Sequence, residues 1–313
     1  MAYLVNRLLS VIVMLIIISI VTFGITNILP GDVAMMIMGT QSNPEALAAL
    51  RENLGLNDPL VAQYGRWIRG MVTGQWGNSL LFDEPIAPLI RQKVVASGLI
   101  VVLSMSMALL MAVPLGVWAA RHGDRWQDVT ATSAALLGLS IPDFFIGIML
   151  ILLFAATLGW FPSSGFAEPS EDLLGALRHA FLPSLALALG LMAHLTRMTR
   201  SSMMGILNQE FIRVARAKGL PENYVVWRYA LPNAIGPVMT VAGLQIGYLF
   251  GSIIVIESLF SYTGMGWLTY QALLNRDIPL IQSTIFVIAA VVMLVNFAVD
   301  LLYRVIDPRI RLG

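Results

Sequence analysis

Arg213-Val-Ala-Arg-Ala-Lys-Gly219-Leu-Pro-Glu-Asn-Tyr-Val-Val-Trp-Arg-Tyr229-Ala-Leu-Pro232 is the most basic stretch of an otherwise oily chain, and membrane-length apolar runs flank it. Asn208 to Lys218 has the pattern of an amphipathic helix, with Phe211, Val214 and Ala215 near one face and Arg213 and Arg216 on others. Gly219 stands where a left-handed residue would end that helix. Pro221 fits the first turn of a second short helix, Glu222 to Tyr229, which Leu231-Pro232 closes before the next apolar run. Helices this short are not stable alone in water, so something must hold them. Ala215, Ala217 and Gly219 would let a partner backbone come close. The same residues also fit a plain basic connector that only satisfies the positive-inside bias.

The rest of the chain fixes its class. Of its 313 residues 58% are hydrophobic and only 12% charged, whereas soluble domains are about one quarter charged. With no cysteine, disulfides, thiolate metal sites and cysteine nucleophiles are excluded. His122, His179 and His194 are scattered and form no metal-binding pair, so no metal and no cofactor are expected. The 26 glycines and 17 methionines suit helices packed closely in lipid.

A span needs about 20 apolar residues, and six stretches are read as spans, the fourth of them short: 8–29, 94–120, 129–158, 181–195, 235–256 and 281–306. The third is expected to bend or break near Ile141-Pro142, and the fourth to continue past the membrane as a polar helix. The first is read as a retained anchor, because its apolar core exceeds that of a signal peptide and no small-x-small site precedes Pro30. With the N-terminus inside, the inner face holds Arg7, Arg121, Arg125, Arg197, Arg200, Arg213, Arg216, Lys218, Arg228, Arg304, Arg309 and Arg311, twelve of the 19 basic residues. The two short outer loops hold only Arg178 and Arg276. Both termini are therefore expected to be cytoplasmic.

The expected organisation is a first transmembrane helix over 1–29, a periplasmic loop or lid over 30–93, and a five-helix core over 94–306. The core carries a cytoplasmic loop at about 197–232, and a cytoplasmic tail follows over 307–313. Within the long first loop, Asn43 is a helix cap before Pro44. Gly70, Gly74 and Gly77 interleave with Trp67 and Trp76, as in a compact lid or a plain interfacial loop.

The pattern of small residues, Gly219, nine further residues and Tyr229-Ala230-Leu231-Pro232 resembles the EAA loop of ABC-importer permeases. In that loop Glu-Ala-Ala precedes a glycine, and nine residues then lead to Ile-x-Leu-Pro. Arg213 stands for the Glu, Val214 for the first Ala and Tyr229 for the Ile, while Ala215, Gly219, Leu231 and Pro232 match. An ion-pair role for that Glu therefore does not carry over. Further passages are similar to the B-type subunit of the dipeptide/oligopeptide/nickel permease family: Leu29-Pro30-Gly31-Asp32, Leu54 to Leu60, Ile141-Pro142-x-Phe144 and Leu158 to Pro162. Gly264-Met265-Gly266, Arg276-Asp277-Ile278-Pro279 and Asp307-Pro308-Arg309 complete the set, in the family's order.

The resemblance implies an all-α membrane protein of the type I ABC-importer permease fold, lying in the bacterial inner membrane. It would form half of a pathway for peptides or related solutes, paired with a homologous second permease in a heterodimer. Cytoplasmic ATP-binding subunits would drive it, and a periplasmic solute-binding protein would feed it. The coupling contact would fall on Arg213, Val214, Ala215, Arg216, Ala217, Lys218, Gly219, Leu231 and Pro232. Membrane lipid is the surrounding partner and nucleic acid is not one.

The residues also speak to alternatives. The only lysines are Lys93 and Lys218, and neither follows a phosphate-loop glycine run, so ATP would be hydrolysed on another chain. Polar residues within the spans are few: His194, Gln245, Asn296 and Asp300, with Glu257 at a rim. That argues against a self-sufficient secondary transporter, which usually carries midplane carboxylates. No serine or aspartate motif of an intramembrane hydrolase is present, and no catalytic residue is expected. Gly243, Gly247 and Gly251 form a small-residue ridge on the fifth span, for helix packing or for lining a pore.

Overall fold

In the computed structural model, residues 2–28, 34–35, 43–53, 55–123, 125–126, 128–130, 133, 138 and 140–306 are described. Leu29-Pro30-Gly31-Asp32, residues 131–132, 134–137 and 139 of the third apolar stretch, the tail from Asp307 and the Asp300 side chain lie outside that description. The helices are α1 (Ala2–Ile28), α2 (Pro44–Asn53), α3 (Leu60–Thr73), α4 (Ile86–Arg121), α5 (Asp143–Leu150), α6 (Leu173–Leu207), α7 (Glu210–Ala217), α8 (Glu222–Tyr224), α9 (Leu231–Leu259), α10 (Met265–Leu274) and α11 (Ile278–Ile306). No strand occurs among the described residues.

Among the described residues, five helices are long and apolar enough to cross a bilayer: Asn6–Ile28, Ile86–Arg121, Leu173–Leu207, Glu222–Leu259 and Ile278–Val299. The third apolar stretch breaks at Pro142, which takes φ −61° and ψ 140° and so leaves the helical region. Its described helical part, Asp143–Thr157, is shorter than a full span and widens to a π-helix over Ile151–Thr157.

The chain divides into two compact units. The first comprises 1–97 and 263–294. There α2 starts as expected: the Asn43 side chain accepts from the Glu45 N–H at 3.1 Å and its carbonyl from the Leu47 N–H at 3.0 Å. The turn that follows is stapled by the Arg66 guanidinium, which donates to Asp58 at 2.6 Å and to the Gly55 carbonyl at 2.8 Å. The stretch with Trp67 is α3, a helix rather than a loop, ended by Gly74 at φ +80°. It lies against two spans: Tyr64 hydrogen-bonds Ser19 at 2.7 Å and packs edge-on against Phe23, and Trp67 packs edge-on against Phe286.

In the same unit α10 packs Met265, Leu268 and Ala272 onto Ile86, Ile90, Leu280 and Ile281. Asp277 is buried, and its carboxylate is a clasp. Oδ2 accepts from the Ser79 hydroxyl at 2.6 Å, the Leu80 N–H at 2.8 Å and the Leu81 N–H at 3.1 Å. Oδ1 accepts from the Leu280 N–H at 3.1 Å and so caps α11.

The second unit comprises 98–262 and 295–313. Its centre is α6, the most buried of the long helices, which pairs with α9 and α5. α6 runs well beyond the apolar run that marks it in the sequence, as a polar extension toward α7. The buried Asp128 carboxylate receives both Nε and Nη2 of Arg200 from that extension.

Candidate functional site

α7 is seated by its own chain. Ile212 and Ala215 are buried with Val117, Ala120, Met203, Val225, Val226, Ala230 and Ala234 in one apolar cluster. With Ile212 and Ala215 turned inward, Phe211, Arg213, Val214, Ala217 and Lys218 face outward and all are exposed. Ala215, read in the sequence as a partner contact, is only 4% exposed. Its small side chain is used internally, and the exposed apolar residues Phe211 and Val214 take the outer face. Ile212, the anchor of the helix, was legible as part of the 3.6-residue apolar pattern, but the flanking charges drew the reading away from it.

The helix ends as its sequence requires. The Lys218 N–H donates to the Val214 carbonyl at 3.1 Å and the Gly219 N–H to the Arg216 carbonyl at 2.9 Å. Gly219 takes φ +77°, open to glycine and costly for other residues. Nothing lies within 4 Å of where its Cβ would stand. Glycine is thus demanded here by backbone conformation and not by crowding within this chain.

Across the turn, Arg216 grips Glu222 through two hydrogen bonds of 3.0 and 2.7 Å. Arg121 donates to the Asn223 side chain at 2.9 Å, tying the turn to the end of α4. Hydrogen bonding from Arg216, followed by its charge, holds the Glu222 carboxyl below its ordinary value of 4.5, and the same pairing raises Arg216. Both side chains are near 40–45% exposed, so the pair is worth no more than about 1 kcal/mol.

The expected break at Leu231-Pro232 is absent. α8 runs through a π-helical stretch, Val225–Ala230, straight into α9. Pro232 lies at the start of α9, has no N–H to give, and its ring would clash with a carbonyl in an unmodified helix. The wider π register leaves room for both facts and keeps the helix continuous. Val225, Val226 and Ala230 are buried in the α7 cluster, so the turn, the π segment and the start of α9 are packed as one piece.

The α9 glycines Gly243, Gly247 and Gly251 do not share one environment. Gly243 meets Val299 of α11 so closely that any Cβ would displace it, whereas Gly251 has open space around it. Gly247 is half-buried. Among the described residues no group of three or more His, Asp or Glu side chains is placed to hold a metal ion.

Long apolar helices, with an exposed helix–turn–helix packed on α6 and the start of α9, make this a multi-span membrane protein. Residues 112–312 match the family described as binding-protein-dependent transport system inner membrane component, and residues 1–88 match its N-terminal companion. The chain belongs to this family, as a transmembrane permease subunit of an ABC importer. The dipeptide transport system permease protein DppB of Alkalihalophilus pseudofirmus is 38% identical over 99% of both chains. The glutathione transport system permease protein GsiC of Salmonella paratyphi A is 35% identical over 99% of this chain and 98% of its own. Among solved structures, the inward-facing MetNI methionine ABC transporter aligns with a TM-score of 0.60 at 19% identity, over 72% of this chain and 99% of that one. That likeness extends to the fold.

Proposed function

We propose that the chain forms half of a peptide-importing pathway and receives mechanical work from a separate ATP-binding subunit through the loop Arg213–Pro232. One observation carries this reading: α7 presents Phe211, Arg213, Val214, Ala217, Lys218 and Gly219 outward while Ile212 and Ala215 lock it to α4, α6 and the root of α9. A push on the outer face is transmitted as a rigid body, because the loop shares one core with two spans and continues unbroken into a third. In this reading Arg216, Leu231 and Pro232 shape the loop from within, and Ala215 supports docking from beneath.

The proposed arrangement has six spans, both termini cytoplasmic and the loop at 197–232 facing the cell interior of a bacterial inner membrane. The stretch 30–93 is periplasmic. A homologous permease completes the pathway as a heterodimer, and a periplasmic binding protein delivers solute. Peptide cargo is supported by the names of the two relatives, one for dipeptide and one for glutathione transport. The subunit itself carries no catalytic group in this reading. The test is co-expression of the permease pair, its ATP-binding subunits and its binding protein in proteoliposomes. ATP-dependent uptake of a dipeptide is expected, and solute flux without the ATP-binding subunits would overturn the proposal.

A further inference from the structure

Polar groups form a line along the seam of α6 and α9, where the sequence offered only scattered residues. α5 begins at Asp143, in the interior of the apolar stretch 129–158 and not at its end. The Tyr248 hydroxyl on α9 donates to Asp143 Oδ2 at 3.0 Å. Asp143 Oδ1 lies against the backbone of Gly190 on α6, where any Cβ would displace it. From Gly190, the residues that follow on the same face of α6 are His194, Arg197 and Ser201, at helical spacings of four, three and four. Those three, with Met198 and Val241, line a cavity of about 280 Å³. Val241 and Tyr248 are two turns apart on one face of α9, so the Asp143 pair, which does not line the cavity, lies about 10 Å from it along the same α6–α9 groove.

A carboxylate inside a membrane span is expensive to keep and marks a functional position by default. One tyrosine hydroxyl does not neutralise it. Arg197 is exposed and makes no hydrogen bond or ion pair among the described residues. It sits seven residues below Gly190, about 10 Å along the helix axis, so the two charges are separated rather than paired. An extended peptide advances about 3.5 Å per residue. The ammonium and carboxylate of a two- or three-residue peptide are therefore spaced to meet opposite ends of this groove.

We propose that the groove is a transit site for a zwitterionic short peptide. Asp143, held by Tyr248, accepts hydrogen bonds from the ammonium group. Arg197, with His194 and Ser201 beside it, donates to the carboxylate. This rests on the reading of the chain as a peptide permease, and it adds where within the chain the cargo is recognised and by which charges.

The permease assembled with its partner subunits in nanodiscs, without binding protein, is examined by saturation-transfer NMR with dialanine, N-acetyldialanine and dialanine amide. Dialanine is expected to bind about tenfold more tightly than either capped form, the worth of one charge-assisted contact. Asp143→Asn should erase the penalty for N-acetylation and keep that for the amide. Arg197→Gln should do the reverse, and Tyr248→Phe should weaken ammonium recognition with no loss of a charge. No transfer from dialanine, equal transfer from capped forms, or variants that keep both discriminations would overturn the proposal. So would a response confined to Arg197 and indifferent to the ammonium, as an anionic lipid headgroup would give. ATP-driven dialanine uptake, measured separately with the binding protein, tests the cargo reading by itself.

Discussion

Replacing Gly219 separates the shape of the turn from the partner docking proposed for it. Its φ of +77° costs a residue with a Cβ about 1–2 kcal/mol. Because nothing lies within 4 Å of the Cβ position, no steric charge is added within this chain. Gly219→Ala and Gly219→Arg should therefore destabilise the isolated permease equally, and Gly219→Asn less, since asparagine tolerates the left-handed region better. The loop should stay seated in all three, because the core around Ile212 and the Arg216–Glu222 pair remain. The variants should part company only in the assembled importer. Crowding at a close docking surface costs about 1–3 kcal/mol, or roughly tenfold in coupling per 1.4 kcal/mol. Thermal unfolding in detergent reads the first quantity, and ATP-driven uptake in proteoliposomes reads the second. Wild-type uptake by Gly219→Arg would refute the docking reasoning. Equal impairment by alanine and arginine would place the whole effect in the turn.

Ile212→Ala should cost about 2–5 kcal/mol and open 208–221 to protease before any span unfolds, because this fully buried side chain anchors α7. Ala215→Asp should lose the ATP-binding subunits on co-purification together with that same protease sensitivity; loss of binding with the loop intact would mean that Ala215 touches the partner directly. Asp277→Ala should lower stability by at least about 2 kcal/mol, since Ser79, Leu80, Leu81 and Leu280 all lose their acceptor, and Asp277→Asn by less; an unchanged melting temperature would count against the clasp. The folded Glu222 carboxyl lies below its ordinary value of 4.5, so its contribution to the loop is whole above that pH and fades as pH falls through the lowered value. Protease resistance of 208–221 should follow that course, and Glu222→Gln should flatten it.

Five of the apolar stretches were legible as long helices because an apolar run of about 20 residues has few other uses, and the cap at Asn43 and the left-handed Gly219 because their chemistry is local. What escaped depends on distance or on short length. α10 is too short to read as a span. α3 hid behind Gly65 and Gly70, which are tolerated inside the helix while Tyr64 and Trp67 bind it to α1 and α11. The Asp277 clasp joins residues nearly two hundred positions apart, so no spacing rule could announce it. In the loop Arg213–Pro232 the glycine and the break between α7 and α8 were visible. The inward turn of Ala215 was not, because Ile212 decides which face is buried. The continuity through Pro232 rests on a π register that follows from packing of Val225, Val226 and Ala230 rather than from any motif.

The chain contains no cysteine, so one introduced thiol gives an unambiguous signal. Ala217→Cys on the exposed face of α7, in the complete importer, tests most directly whether the loop touches the ATP-hydrolysing subunit. A short bifunctional reagent should join it to that subunit, with the yield changing when ATP is bound. A thiol that reacts only from the outside of sealed cells, or finds no ATP-binding subunit within reach, would contradict the coupling role.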